Sequence, residues 1–159
     1  MNFTLERMII LAVWTISLIG LLIVPKRHRR KAQVAFLFQQ FSNGILGLIV
    51  VQNGWLEYPA RELQHNYTSL TFEVMGYPTI AVYLNVYYPA AKSRLFRFLY
   101  VLAFPTGITI IEVLLQKHTS LIHYLTWDWY WTFLSIWATM QLSLLFNWWF
   151  FREREEGQK

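Results

Sequence analysis

The sequence predicts an all-α protein, a polytopic bundle of five transmembrane helices that forms a single domain over residues 1–159. Hydrophobic residues make up 55% of the chain and charged residues only 14%, against about 25% in an average soluble domain. Basic residues concentrate on alternate connections between apolar runs. Each run approaches the length needed to cross a hydrocarbon core about 30 Å thick. The five predicted spans are approximately residues 8–24, 35–51, 71–88, 98–116 and 129–151.

The basic residues also predict the orientation of the chain. Residues 26–31, 92–97 and 152–159 together hold 11 of the 14 Lys and Arg residues. Because Lys and Arg accumulate on the cytoplasmic side, the N-terminus is predicted outside and the C-terminus inside. The net charge of +5 follows from this pattern and predicts a bilayer with an anionic inner leaflet as a partner. Nucleic acid is not predicted, because the basic residues flank apolar runs and form no aromatic-lined patch.

The first two runs differ in polarity. Pro25 and the basic residues 26–31 end the first run. The second run is less apolar, and its amide and small residues fall on one helical face, as in membrane helices that pack closely and hydrogen-bond to each other. The residues of this face are Gln40, Asn43, Gly44 and Gly47. An alternative topology has four spans, with residues 32–51 partly re-entrant.

The third and fourth runs each contain a proline, Pro78 and Pro105. A proline removes one helical hydrogen bond, so a kink or local unwinding is predicted at both positions. Both prolines lie in an aromatic-Pro-Thr tripeptide. This recurrence is open to two interpretations: a small inverted repeat of the kind that transporters use, or ordinary tolerance of proline in membrane helices.

The fifth run carries hydroxyl residues on one face, which predicts a close contact with another helix. These residues are Thr132, Ser135, Thr139 and Ser143. Tryptophans at residues 127–131 and 148–149 mark the two ends of the run, as interfacial aromatic residues do.

Glu112 is the main candidate functional residue. It lies inside the fourth run, roughly 21 Å from the inner end, where an ionisable group is costly and normally faces the bundle interior. Thr109 shares its helical face. Hydrogen-bond partners for the Glu112 carboxyl are predicted among Glu73, Tyr77, Asn43, His123 and Trp127.

Glu73 and Glu57 are the other candidate functional carboxylates. Glu73 lies near the outer end of the third run, and two glutamates in one pocket could share a proton or clamp a cation. The alternative is that both carboxyls hydrogen-bond to neighbouring side chains and lock the bundle. No metal site and no cofactor are predicted: the chain has no cysteine, and His118 and His123 lie five residues apart without a metal-binding motif.

Several stretches resemble a group of small multi-spanning membrane proteins from spore-forming Firmicutes. The stretches are FPTGITIIE at residues 104–112, HY at 123–124, WDWYW at 127–131, LIVV at 48–51, EYPARE at 57–62 and FEVMGYP at 72–78. The resemblance implies a multi-pass protein of the bacterial cytoplasmic membrane. It adds weight to Glu57, Glu73, Glu112 and Trp127 as residues to test.

The chain has no nucleophile elbow, phosphate loop or dinucleotide-binding motif. We therefore expect a non-enzymatic structural or accessory membrane component, and the resemblance to proteins of spore-forming bacteria implies a sporulation-associated role. Its expected partner is another membrane protein or a second copy of the chain. The alternative is a small transporter or channel for a cation or small solute that uses an intramembrane carboxylate.

Overall fold

The structure, a computed structural model, describes residues 3–60 and 68–156 of the chain. It is mostly helical, and each predicted apolar run overlaps a helix, although the bounds differ. The helices are α1 (Phe3–Ile23), α2 (Arg29–Gln52), α3 (Tyr77–Val86), α4 (Arg94–His118) and α5 (Trp129–Glu156). A 3-10 turn at Lys26–His28 precedes α2, and a π-helical segment at Leu70–Gly76 leads into α3. Two short strands, β1 (Leu56–Glu57) and β2 (His123–Tyr124), complete the described elements.

Three of the described helical stretches are long and apolar enough to cross a membrane. They are Leu5–Ile23, Lys26–Gln52 and Arg94–His118. Their apolar side chains point largely away from the bundle: Ile16 and Leu22 of α1 are 70% and 75% exposed. An apolar surface of this extent is unfavourable in water and suits a lipid environment. The exposed apolar surface therefore indicates that the chain is a membrane protein.

The two ends of the bundle differ. At one end β1 pairs antiparallel with β2, with Leu56 opposite Tyr124, and we call this strand pair the cap. The carbonyl of Trp55 accepts hydrogen bonds from three consecutive backbone N–H groups, which joins the cap to the turn after α2; the donors are Leu125, Thr126 and Trp127. The opposite end holds the start of α2 and residues 26–31, and we call it the basic end.

Helices α2, α3 and α5 pack around a shared interior. Helix α2 runs from the basic end to the cap, and α5 runs antiparallel to it: Gln39 bonds Thr139, and Lys31 bonds Asn147 at the basic end. Helix α4 packs mainly on α5, and α1 packs on the π-helical segment. Buried apolar side chains form a cluster at each end and one between them; their fully enclosed members include Leu84, Val82, Met140, Leu121 and Ile122.

The predicted interior face of α2 is partly wrong. Asn43 is buried as predicted, but Gln40 and Gly44 are only half-buried, and Gln39 is the amide that is fully enclosed. The helix begins at Arg29, inside the basic segment, and not near residue 35. One residue along an α-helix turns the side-chain direction by about 100°. Choosing Gln40 in place of Gln39 therefore rotated the predicted face away from α5.

The two prolines have different surroundings. Directly before Pro78 the backbone is π-helical, and the N–H of Tyr77 bonds the carbonyl of Phe72, five residues back. The irregularity predicted at Pro78 is therefore present. At Pro105, by contrast, α4 continues as one helix from Arg94 to His118, so the structure contradicts local unwinding there. Ser93 caps the start of α4 by accepting the N–H of Phe96 at 3.3 Å.

Candidate functional site

The Glu112 carboxyl is buried at the cap end and accepts three hydroxyl hydrogen bonds. Tyr77 at the start of α3 donates to Oε2 at 2.7 Å. Tyr124 of β2 and Thr132 of α5 donate to Oε1 at 2.9 and 2.8 Å. A carboxylate only accepts hydrogen bonds, so three hydroxyl donors match its chemistry. Through Glu112, helix α4 is joined to α3, to the cap and to α5.

A second layer of contacts holds these donors in place. The indole N–H of Trp127 donates to the Thr132 hydroxyl at 2.9 Å, and the Tyr124 hydroxyl lies 3.1 Å from the same oxygen. The Trp127 ring stacks on Trp55, with centroids 5.9 Å apart. Burial first, and then the nearby Glu112 carboxyl, raises the pKa of the Tyr124 phenol well above its ordinary value. The phenol therefore stays protonated and able to donate at neutral pH.

Glu73 approaches the same region from the π-helical segment. The hydroxyl of Tyr58, which lies just after β1, donates to its Oε1 at 3.2 Å. Gly47 of α2 is in contact with this carboxyl, and a Cβ at that position would overlap it. Segments of π-helix are rare in proteins and are frequently found at functional sites. Here the segment directs the side chain of Glu73 into the space beside Gly47.

Both carboxyls line one cavity of about 60 Å³ beneath the cap. This volume has room for a few water molecules. Asn43, Gly47, Trp127 and Thr132 also line it. Asn43 is 94% buried, and its amide nitrogen has no hydrogen-bond partner among the described residues. A buried donor without an acceptor is unfavourable, so this nitrogen is available to a polar molecule in the cavity.

The structure separates the predicted site residues into two groups. Glu112, Glu73, Asn43 and Trp127 meet at the cavity, and the predicted bond from Tyr77 to Glu112 is present. His123, expected as a neighbour of Glu112, instead faces away from the cavity. It pairs with Glu57 at 2.9 Å, and both side chains are about half-exposed. A pair in this setting contributes little to stability.

Thr109 also differs from expectation. Thr109 is buried one turn before Glu112, but it does not line the cavity. Thr106 points outward and donates to the Leu102 carbonyl of its own helix at 2.8 Å. In the described part of the chain, no three His, Asp or Glu side chains stand close enough to hold a metal ion.

Three partners of the carboxyls were not predicted as such. Tyr58 lies in the connection after α2, where no helical periodicity marks it, yet it is buried and donates to Glu73. Tyr124 lies in a short segment without helical periodicity, so no sequence pattern directs it towards Glu112. Thr132 was placed on the hydroxyl face of the fifth run, and that face does point inward. That Thr132 reaches Glu112 depends on how α4 and α5 lie relative to each other, which the sequence does not show.

The chain matches no protein-family model, no characterised protein and no solved structure at a significant level.

Proposed function

We propose that this chain is a non-enzymatic structural or accessory component of the bacterial cytoplasmic membrane, with a sporulation-associated role. The observation that supports it best is the arrangement around Glu112, whose carboxyl accepts hydrogen bonds from three elements and joins them to a fourth. Such an arrangement favours one fixed packing of the cap end. A fixed surface is what an accessory subunit offers to a membrane-protein partner or to a second copy of the chain.

The proposed topology has five spans, with the N-terminus outside and the C-terminus inside. It is supported by the position of residues 26–31 and Arg94 next to helix ends and by the aromatic residues of the cap. The anionic inner leaflet would then lie against the basic end.

Reporter fusions test this topology directly. We expect fusions after Lys31, Leu63, Arg94, Thr119 and Lys159 to report inside, outside, inside, outside and inside, because basic connections stay in the cytoplasm. The measurement is alkaline phosphatase and green fluorescent protein activity at each site. A cytoplasmic signal after Leu63 or Thr119 would show that the five-span topology is wrong.

The accessory role is tested by mild solubilisation of native membranes after crosslinking. We expect the chain to be recovered with one defined membrane-protein partner, or as a defined oligomer, in a constant ratio. A variant with an altered lipid-facing residue, Ile16→Val, is the matched control and should recover the same complex. Recovery of the chain only as a monomer after crosslinking would contradict this role.

A second candidate function is favoured by the cavity. Two carboxyls and the unpartnered amide nitrogen of Asn43 line a space large enough for water or a small cation. A larger apolar cavity of about 500 Å³ lies beside it and shares Leu46, Trp127 and Ser135 as lining residues. This arrangement supports a small transporter or channel for a cation or small solute, and flux into reconstituted vesicles distinguishes it from the accessory role.

A further inference from the structure

Polar side chains continue from the cavity into the interior between α2 and α5. The amide nitrogen of Gln39 donates to the side-chain oxygen of Asn43 at 3.0 Å and to the hydroxyl of Thr139 at 3.0 Å. Gln39 is fully enclosed, and Asn43 lines the cavity. The cavity is therefore connected to the middle of the bundle by direct hydrogen bonds.

Two further polar contacts lie closer to the basic end. The amide nitrogen of Asn85 on α3 donates to the hydroxyl of Ser143 at 3.1 Å. The amide nitrogen of Asn147 donates to the backbone carbonyl of Lys31 at 3.2 Å. Lys31 is half-exposed at the basic end, so the last contact reaches the bundle surface. We call this series the polar column; its side chains are Asn43, Gln39, Thr139, Asn85, Ser143 and Asn147.

The amides of the polar column each retain one polar atom without a hydrogen-bond partner among the described residues. These atoms are Asn43 Nδ2, Gln39 Oε1, Asn85 Oδ1 and Asn147 Oδ1, and all four residues are at least 94% buried. Polar residues that serve only to join helices would be expected to pair their atoms with each other. An unpaired amide atom inside a membrane bundle is costly unless water or another polar ligand satisfies it.

The spacing of the polar column suits single water molecules. Ser135, Thr139, Ser143 and Asn147 follow each other at four-residue intervals along one face of α5. Four residues advance about 6 Å along a helix. Two hydrogen bonds of about 2.8 Å each let one water join polar atoms that side chains bring to within about 4.6–5.6 Å of each other. One water between successive levels would therefore bridge each gap and satisfy the unpaired amide atoms.

We propose that the polar column holds a single row of water molecules that conducts protons between the cap-end cavity and the basic end. The inference rests on the second candidate function and names the proton as its substrate. Each water in the row accepts a proton from one neighbour and releases another proton to the next. No covalent bond of the protein therefore forms or breaks. The amides and hydroxyls orient the waters and do not ionise themselves.

The titratable groups of this pathway lie at its cap end. Glu73 and Glu112 line the cavity and can accept and release protons there. The phenols that face them are Tyr58, Tyr77 and Tyr124. Because the column beyond the cavity contains only amides and hydroxyls, nothing in it would trap a proton as a fixed charge.

The test is proton flux into phosphatidylglycerol-containing vesicles that hold the purified full chain and a pH-sensitive dye. A potassium gradient with valinomycin sets the membrane potential. We expect acidification about tenfold faster than in protein-free vesicles, and a return to about the protein-free rate for Gln39→Leu, which removes the polar groups in the middle of the column. Ser143→Ala deletes one hydroxyl with little change in packing and should slow the flux by about tenfold, the effect of one lost hydrogen bond on a barrier.

Thr106→Val is the matched control, because Thr106 faces away from the interior and donates its hydroxyl hydrogen bond to the Leu102 carbonyl of its own helix. Its flux should equal that of the unaltered chain. If Gln39→Leu does not fold, Ser143→Ala decides the question. Unchanged proton flux in both column variants would overturn the pathway. Flux of sodium, or of potassium in vesicles without valinomycin, in the absence of proton flux would overturn the proton as substrate but leave the transport function. No flux of any of these ions would overturn both and leave the accessory role.

Discussion

Replacing Glu112 with alanine should destabilise the protein by about 3 kcal/mol, roughly 1 kcal/mol for each hydroxyl that loses its acceptor. The three hydroxyls belong to Tyr77, Tyr124 and Thr132, and they lie at 2.7–2.9 Å from the carboxyl. Glu112 and Thr132 are buried and the two tyrosines are partly buried, so water can replace the lost acceptor only in part. The measurement is equilibrium unfolding in detergent micelles, followed by the fluorescence of the eight tryptophans.

Two variants make the Glu112 experiment specific. Glu112→Gln keeps the shape and one acceptor oxygen, so it should cost only about 1 kcal/mol. Glu57→Ala removes a carboxyl whose pair with His123 is half-exposed, and it should change stability by less than about 0.5 kcal/mol. Equal stability of the Glu112→Ala and Glu57→Ala variants would show that Glu112 does not hold the cap end together. If Glu112 instead serves transport, the Glu112→Gln variant should fold normally and lose its proton or cation flux.

The long helices could be predicted from the sequence because an apolar run of membrane length has few alternatives. The same reasoning placed Glu112 in the interior: a carboxyl within such a run needs polar partners wherever the helices lie. Tyr77 is among the partners predicted for it, and its hydrogen bond to Glu112 is present. These predictions depend on energetic costs that hold for any packing of the helices.

What could not be predicted depends on how the elements meet. Tyr124 reaches Glu112 because β2 pairs with β1, and two-residue strands leave no periodic pattern. Gln39 and Gln40 are adjacent amides, and only the rotation of α2 against α5 decides which one is buried. His123 and Glu57 carry the right chemistry for a site, but their strand register directs both of them outward.

The two glycines in the second half of α2 should respond in opposite directions to alanine. At Gly44 an added Cβ meets nothing within 4 Å, so Gly44→Ala should stabilise the protein, by up to about 1 kcal/mol, through better helix propensity. At Gly47 the same Cβ would overlap the Glu73 carboxyl. Gly47→Ala should therefore destabilise by about 1–3 kcal/mol, because Glu73 must leave its place beside Tyr58. Equilibrium unfolding of both variants gives the comparison.

A double-mutant cycle tests whether Glu73 is the cause of the difference. In a Glu73→Ala background the side chain that opposes the added Cβ is gone, so Gly47→Ala should lose most of its cost, with a coupling energy of about 1–2 kcal/mol. Gly44→Ala should have the same effect in either background. If Gly47→Ala costs the same with and without Glu73, then this glycine is required by helix packing alone. A coupling energy of this size would establish that α2 leaves space for a carboxyl in the cavity, a feature that both the transport function and the proton pathway require.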